Sequence, residues 1–251
     1  MHGFVSALCF LTKKADFETF DFAEELGKNL KQDNVDIYVV IDKHNFDDSS
    51  VKNLSNIQIV NITTDECISY GYSQTTRLGD DRHYVTAWDK ALLHFCVFNK
   101  TYSFVWLIED DVFIPSVNAF RSIHRLYSRT NDLVVRDSQL NLLGKTSYWL
   151  WYMAFGNFIP PWSHTMVNVV GLSRRMLQSI AREVHWRGVS LFHEYFFLTL
   201  ALQLNLTIVL PSELSTLQPS GRYLWNHIIQ RPNNFWHPVK KTIERRTWRT
   251  R

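Results

Sequence analysis

The sequence predicts an α/β protein with a mostly parallel central sheet and helices on both of its faces. Three observations carry this. Runs that are almost wholly apolar, "FVSALCFLT" (4–12), "VDIYVVID" (35–42) and "FVWLIE" (104–109), are what strands buried on both faces look like. Stretches with helical spacing separate the runs, and alternating strands and helices build parallel sheets. A chain of 251 residues, 45% hydrophobic and 20% charged, can bury a sizeable core as one unit.

Taken in order, 4–12 is a strand, and 16–32 is a helix that places Phe20, Ala23, Leu26 and Leu30 on one side. Strands follow at 35–42, ending in Asp42, and at 57–62. A second helix over 83–98 aligns Val85, Trp88, Leu92 and Phe95, and 104–109 is the fourth strand. Pro115 opens a helix running to about Tyr127, and "DLVVRD" (132–137) is a strand. The aromatic stretch "YWLWYMAFGNFIPPWSH" (148–164) has no clean period. A strand at 167–173 ends in Ser173, which can cap a helix over 174–184. A helix at 192–204 and a strand at 206–212 follow, with no internal repeat or linker, so a single domain spans 1–251.

Charge excludes one broad class. The net charge is +3, and the basic excess sits in the tail, where Lys240, Lys241, Arg245, Arg246, Arg249 and Arg251 face only Glu244. A body so near neutrality does not read as a nucleic-acid binder, although the tail can touch an anionic surface. Cys9, Cys67 and Cys96 are widely spaced and read as buried thiols of a reducing, cytoplasmic compartment. "MHGFVSALCFLTKK" reads as a first strand and not as an export signal, and no apolar run reaches membrane-spanning length. Sequons at Asn53, Asn61, Asn99 and Asn205 are then chance occurrences.

The informative stretch is "FVWLIEDDVFIPS" (104–116), where a buried strand runs into Glu109, Asp110 and Asp111. Adjacent acids at such a place are costly unless positive charge meets them. A hard divalent cation, Mn²⁺ or Mg²⁺, is the economical partner, since it takes oxygen ligands and keeps positions open for phosphates. Residues two apart on a strand share a face, so Glu109 and Asp111 point together. The plainer reading of the triplet is a helix cap, or pairing with lysines in an ordinary loop.

"VWLIEDDVFI" resembles the acidic strand-end signature, usually written DxD, of glycosyltransferases with the GT-A fold, a Rossmann-type architecture. Three companions in chain order strengthen the resemblance: "WDKALLHF" (88–95), "FHEYFF" (192–197) and "FWHPVKK" (235–241). The resemblance implies a nucleotide-sugar-binding half over about 1–137 and an acceptor-binding half over about 138–251. It implies a metal held by Asp111, Glu109 and His237, with Lys240 on the diphosphate and Lys90 near the donor nucleotide. The first acid is Glu109 where the family has Asp, which leaves it to ligate directly, through water, or to hold the ribose. Asp110 joins the donor contacts; by position alone, Asp42 can meet the base or ribose, and Arg77 or Arg82 in the polar loop 71–84 can stabilise the leaving diphosphate, a loop that reads equally as a plain surface connection. Small soluble members in large algal viruses are similar in size, a xylosyltransferase among them, and suggest a UDP-sugar donor.

Inverting transfer to a glycan hydroxyl needs a base, and Glu194 at the head of an otherwise apolar helix is the leading candidate. Asp137 and His193 are alternatives, and an acid in the first helical turn also simply complements the helix dipole. Trp149, Trp151, Tyr152, Trp162 and His164 offer ring faces and polar rims to an acceptor, with Tyr148, Trp225 and Trp236 able to join them. Dense aromatics are equally core material. Two rival functions stand beside this one, a metal-dependent phosphohydrolase and a non-catalytic carbohydrate-binding module.

Overall fold

The computed structural model describes residues 4–13, 17–42, 54–75 and 83–240. Strand β1 (Ser6–Thr12) is buried at every position, as an interior strand covered on both faces must be. After α1 (Phe17–Leu30) and a 3₁₀ turn, β2 (Val35–Ile41) pairs parallel to β1, and β3 (Ile57–Val60) pairs parallel to β2. Helix α2 (Thr64–Ser69) was not anticipated, although its capping box is written in the sequence: Thr63 and Glu66 satisfy each other's backbone N–H groups.

The helix expected from 83 begins later. Residues 83–84 instead form a two-stranded ribbon, β4 (Gln74–Thr75) with β5 (His83–Tyr84), and α3 (Ala87–Leu93) widens into a π turn over His94–Phe98. Asp89 decides that start by accepting hydrogen bonds from the Thr86 N–H at 2.9 Å and hydroxyl at 2.8 Å. Strand β6 (Phe104–Glu109) lies parallel to β1 on the side away from β2. Helix α4 (Val117–Tyr127) is capped by Ser116 and not opened by Pro115.

In the second half, β7 is only Leu133–Val134, β8 (Gln139–Asn141) pairs antiparallel with β9 (Trp162–His164), and β10 is Val169–Ser173. Ser173 caps α5 (Arg174–Arg187), and α6 (His193–Gln203), β11 (Ile208–Val209) and α7 (Trp225–Gln230) follow. Both short strands, β7 and β11, fall well inside their expected bounds. The sheet order is β11-β7-β10-β6-β1-β2-β3, parallel except for β10, which runs against both neighbours. One sheet therefore runs through both halves of the chain.

Alternation along the strands divides the core. Ala7, Cys9, Leu11, Val105 and Leu107 face α3, α5 and α6, while Leu8, Phe10, Phe104, Trp106 and Ile108 face α1 and α4. No helix among the described residues is long and apolar enough to cross a membrane. The chain leaves β1 toward β2 and β3 and returns to β6 on the other side, so the carboxyl ends of β1 and β6 flank a topological switch point. That crevice is where open α/β sheets bind ligands.

Antiparallel β10 fits against β6 because Gly171, in register with Trp106, carries no side chain. A Cβ there would stand 2.7 Å from the Phe104 ring and 3.1 Å from Trp106. Gly171→Ala is expected to cost about 1–3 kcal/mol of stability through overpacking. Urea or thermal unfolding checks this, and an unchanged midpoint would mean the two rings yield freely.

Candidate active site

Glu109 closes β6, and its carboxylate is fixed from two sides. The Trp88 indole N–H of α3 donates to Oε1 at 3.0 Å, and the Asn168 amide donates to Oε2. Asp110 turns toward β1, where the Thr12 hydroxyl donates to it at 2.6 Å. Asp111 turns the other way, to His237, whose Nε2 lies 3.1 Å from Oδ1. Glu109 and Asp111 thus share a side and Asp110 does not, although β6 ends at Glu109 and the two aspartates sit in the turn closed by the Val112 N–H on the Glu109 carbonyl.

His237 comes from far along the chain, and backbone pairing delivers it. Phe113 and Trp236 exchange N–H···O bonds of 2.8 and 3.0 Å, and the Val239 N–H donates to the Asp111 carbonyl at 2.8 Å. The Gln218 carbonyl, 2.8 Å from Nδ1, accepts that nitrogen's proton, which leaves Nε2 to face the carboxylates. Burial works against the imidazolium, but the hydrogen bond and charge of Asp111 outweigh it, so the His237 pKa lies above its usual value.

Ligand atoms of Glu109, Asp111 and His237 all lie within 4.8 Å of one another. Two carboxylates and an imidazole oriented by a carbonyl form a donor set suited to Mn²⁺ or Mg²⁺. Asn168 lies beside them, its Nδ2 on Glu109 and His237 and its Oδ1 buried with no hydrogen-bond partner among the described residues. The residues therefore fit a divalent ion.

Glu194 lies in the first turn of α6, half-buried, and burial together with the charges of Glu109 and then Asp137 pushes its carboxyl up to about 7. Desolvation outweighs the helix terminus, which would favour the charged form. Asp137 is tied down, accepting from the Thr165 hydroxyl at 2.8 Å and pairing with Arg136 at 3.5 Å. His193 is buried in a network with Gln74 at 3.2 Å and Asp89 at 3.5 Å, so it braces α3 against α6 and is not placed as a base.

Donor-side expectations divide. Lys90 does lie at the end of β2 beside Asp42, but its buried ammonium donates to the carbonyls of Ile41 (3.2 Å) and Asp42 (2.9 Å), so it clamps the strand end. Lys240 is exposed immediately after Val239. Arg77, Arg82 and the tail beyond Lys240 lie outside the described residues. On the acceptor side, Trp151 and Trp162 are each 1% exposed and pack in the core under α6, so they present no face to a ligand. Trp236 is likewise buried. Trp149 stacks on His164 with ring centres 3.8 Å apart, and Tyr152 and Tyr148 are exposed at 40% and 50%. Sequence reasoning missed Asn168, Gln218, Thr12 and the indole of Trp88 as site groups, because their partners lie in other elements.

The Glu194 shift has a consequence for stability. Its pKa is raised from 4.5 to about 7, so across that window the folded state holds the proton more tightly than the unfolded state, and stability falls as pH rises. With divalent ions chelated, Glu194→Gln is expected to melt above wild type at pH 8 and level with it at pH 4, below both values. Parallel pH profiles for the two proteins would show that Glu194 is solvated like an ordinary acid.

No family model matches the sequence, and no curated protein matches it. Among solved structures, galactosyltransferase LgtC in complex with donor and acceptor sugar analogs is similar, with a TM-score of 0.51 at 8% identity over 98% of this chain and 95% of that one. An active-site mutant of LgtC aligns with a TM-score of 0.50 at 9% identity, covering 94% of this chain and 88% of its own. At such identity the likeness concerns architecture alone: the chain has the α/β fold of these structures, the GT-A-like arrangement expected from its sequence.

Proposed function

We propose that the chain is a metal-dependent glycosyltransferase that moves a sugar from a UDP-sugar to a glycan hydroxyl, with inversion at the anomeric carbon. The observation that carries this reading is the meeting of Glu109, Asp111 and His237 at one switch point, with Glu194 close enough to feel the charge of Glu109. The fold shared with a transferase held with donor and acceptor sugar analogs supports it. Donor contacts are assigned to the half over about 1–137, with Asp42, Lys90 and Asp110 bordering the nucleotide. Acceptor contacts are assigned to about 138–251, with Trp149 and Tyr152 as the stacking surface and the buried His164 bracing the Trp149 ring from behind.

The acceptor hydroxyl gives its proton to the Glu194 carboxylate while its oxygen bonds the anomeric carbon. The bond from that carbon to the diphosphate oxygen breaks on the opposite face, and its electron pair leaves with the diphosphate. A carboxyl poised at about 7 is matched to taking a proton near neutrality. A divalent ion bound by Glu109, Asp111 and His237 would neutralise the charge that builds on the diphosphate. Lys240, exposed beside Asp111, adds a second positive charge there.

The resemblance to small viral members puts UDP-xylose first among donors to try and suggests a cytoplasmic setting, in keeping with three buried free cysteines. The phosphohydrolase reading is weaker, because a two-metal site needs more ligands than the one three-residue cluster found among the described residues.

Calorimetric titration with a panel of nucleotide sugars is expected to give binding of one UDP-sugar that requires Mn²⁺ and is lost in Asp111→Asn. Binding that survives chelation would sink the metal-dependent reading. Glu194→Gln should keep donor affinity while transfer falls about 10²–10⁴-fold, the range for losing a general base. Full transfer by that variant would remove Glu194 from the role, and no turnover in wild type with any donor would favour a binding module. The anomeric configuration of the product, read by NMR, decides between inversion and retention.

A further inference from the structure

Asn168 is the residue before β10, and the antiparallel register places it beside Glu109, whose backbone N–H donates to the Asn168 carbonyl at 2.9 Å. Its side-chain Nδ2 meets two acceptors, Glu109 Oε2 and His237 Nε2, the latter at 3.2 Å. His237 Nε2 is contested. Asp111 at 3.1 Å calls for a proton on that nitrogen, whereas the Asn168 N–H calls for its lone pair, and one nitrogen cannot answer both. On the other end of the same amide, Oδ1 is buried without a partner among the described residues.

A half-turn about the last side-chain torsion exchanges Oδ1 and Nδ2 at almost no steric cost, since the two ends of a carboxamide have nearly the same shape. With the oxygen inward, Glu109, Asp111, His237 and Asn168 all present lone pairs to one point. That is repulsive alone and favourable around a cation, for which an amide oxygen is an ordinary ligand. We propose that Asn168 is a fourth protein ligand of the cation site, turning its amide so that Oδ1 joins Glu109, Asp111 and His237. This rests on the reading of that trio as a divalent-metal site and adds a residue to it. The amide is neutral, so it supplies an oxygen without adding to the negative charge already gathered beside Glu194.

The test is Mn²⁺ binding itself, followed by the electron paramagnetic resonance signal of free ion, with folding checked by circular dichroism. Wild type, Asn168→Ala, Asn168→Asp and Asp111→Asn are compared without any sugar nucleotide. Asn168→Ala is expected to weaken binding by at least the roughly tenfold that losing even an outer-shell partner of a metal site costs. Asn168→Asp keeps the oxygen and the shape, so it should bind at least as tightly as wild type, and its melting temperature should be depressed under chelator and recover with Mn²⁺. If Asn168→Asp loses affinity as Asn168→Ala does, the amide acts through its N–H on Glu109 and the proposal fails. Unchanged or tighter binding by Asn168→Ala also overturns it. An Asp111→Asn variant that binds like wild type would instead remove the metal site itself, a failure distinct from that of Asn168.

Discussion

Glu109 stands between two other acids at the carboxyl end of β6, grouped with Asp111 on one side and acting on the half-buried Glu194 on the other, where the effective dielectric is far below that of water. A fold tolerates this only by distributing the cost. Glu109 is hydrogen-bonded on both oxygens, Asp111 is matched to an imidazole, and Glu194 keeps its proton until near neutrality. Charge compensation therefore dictates the surroundings. Trp88 needs α3 at a set height, His237 needs the strand-like run at 235–239 bonded to Phe113 and Asp111, and Asn168 needs an antiparallel β10.

The height of α3 is secured below the site. Asp89, wholly buried, caps the helix through Thr86 and reaches Gln74 at 3.3 Å, and Gln74 in turn meets His193 at the head of α6. The same stretch, 88–90, thus aims an indole at Glu109, anchors the helix through an acid and ties down the end of β2 through Lys90. Buried polar networks of this kind are stable only when fully satisfied, which makes the positions around the site interdependent.

What could be read in the sequence follows from how local each cause is. β1, β2 and β6 were legible because burial on both faces leaves an uninterrupted apolar run, and the acidic triplet was legible because it interrupts one. The start of α3 was misread at 83 because Val85 continues the helical period, while the competing signal was the Thr86 and Asp89 cap. Nothing in "VNVVGLS" states that β10 runs antiparallel. Its direction is a tertiary fact, and Asn168 and Gly171 acquire their meaning only from it. Trp151 and Trp162 looked like a sugar platform because composition distinguishes neither side of a ring; packing under α6 makes them core.

Five consecutive residues join the two sides of the proposed reaction. His164 stacks on Trp149, and the Thr165 hydroxyl donates to Asp137 while its N–H donates to the Glu194 carbonyl at 3.0 Å. Met166 touches Arg136, Val167 packs into the core, and Asn168 reaches Glu109 and His237. Fully extended, the four steps from His164 to Asn168 span at most about 13 Å, a length on the scale of one sugar flanked by its two reaction partners. β10 continues directly from this segment into the central sheet, where the Glu109 N–H bonds the Asn168 carbonyl. One piece of chain thus carries both the residue stacked on Trp149 and the residue bonded to Glu109 and His237, so the proposed acceptor surface and the proposed ion site share a backbone segment.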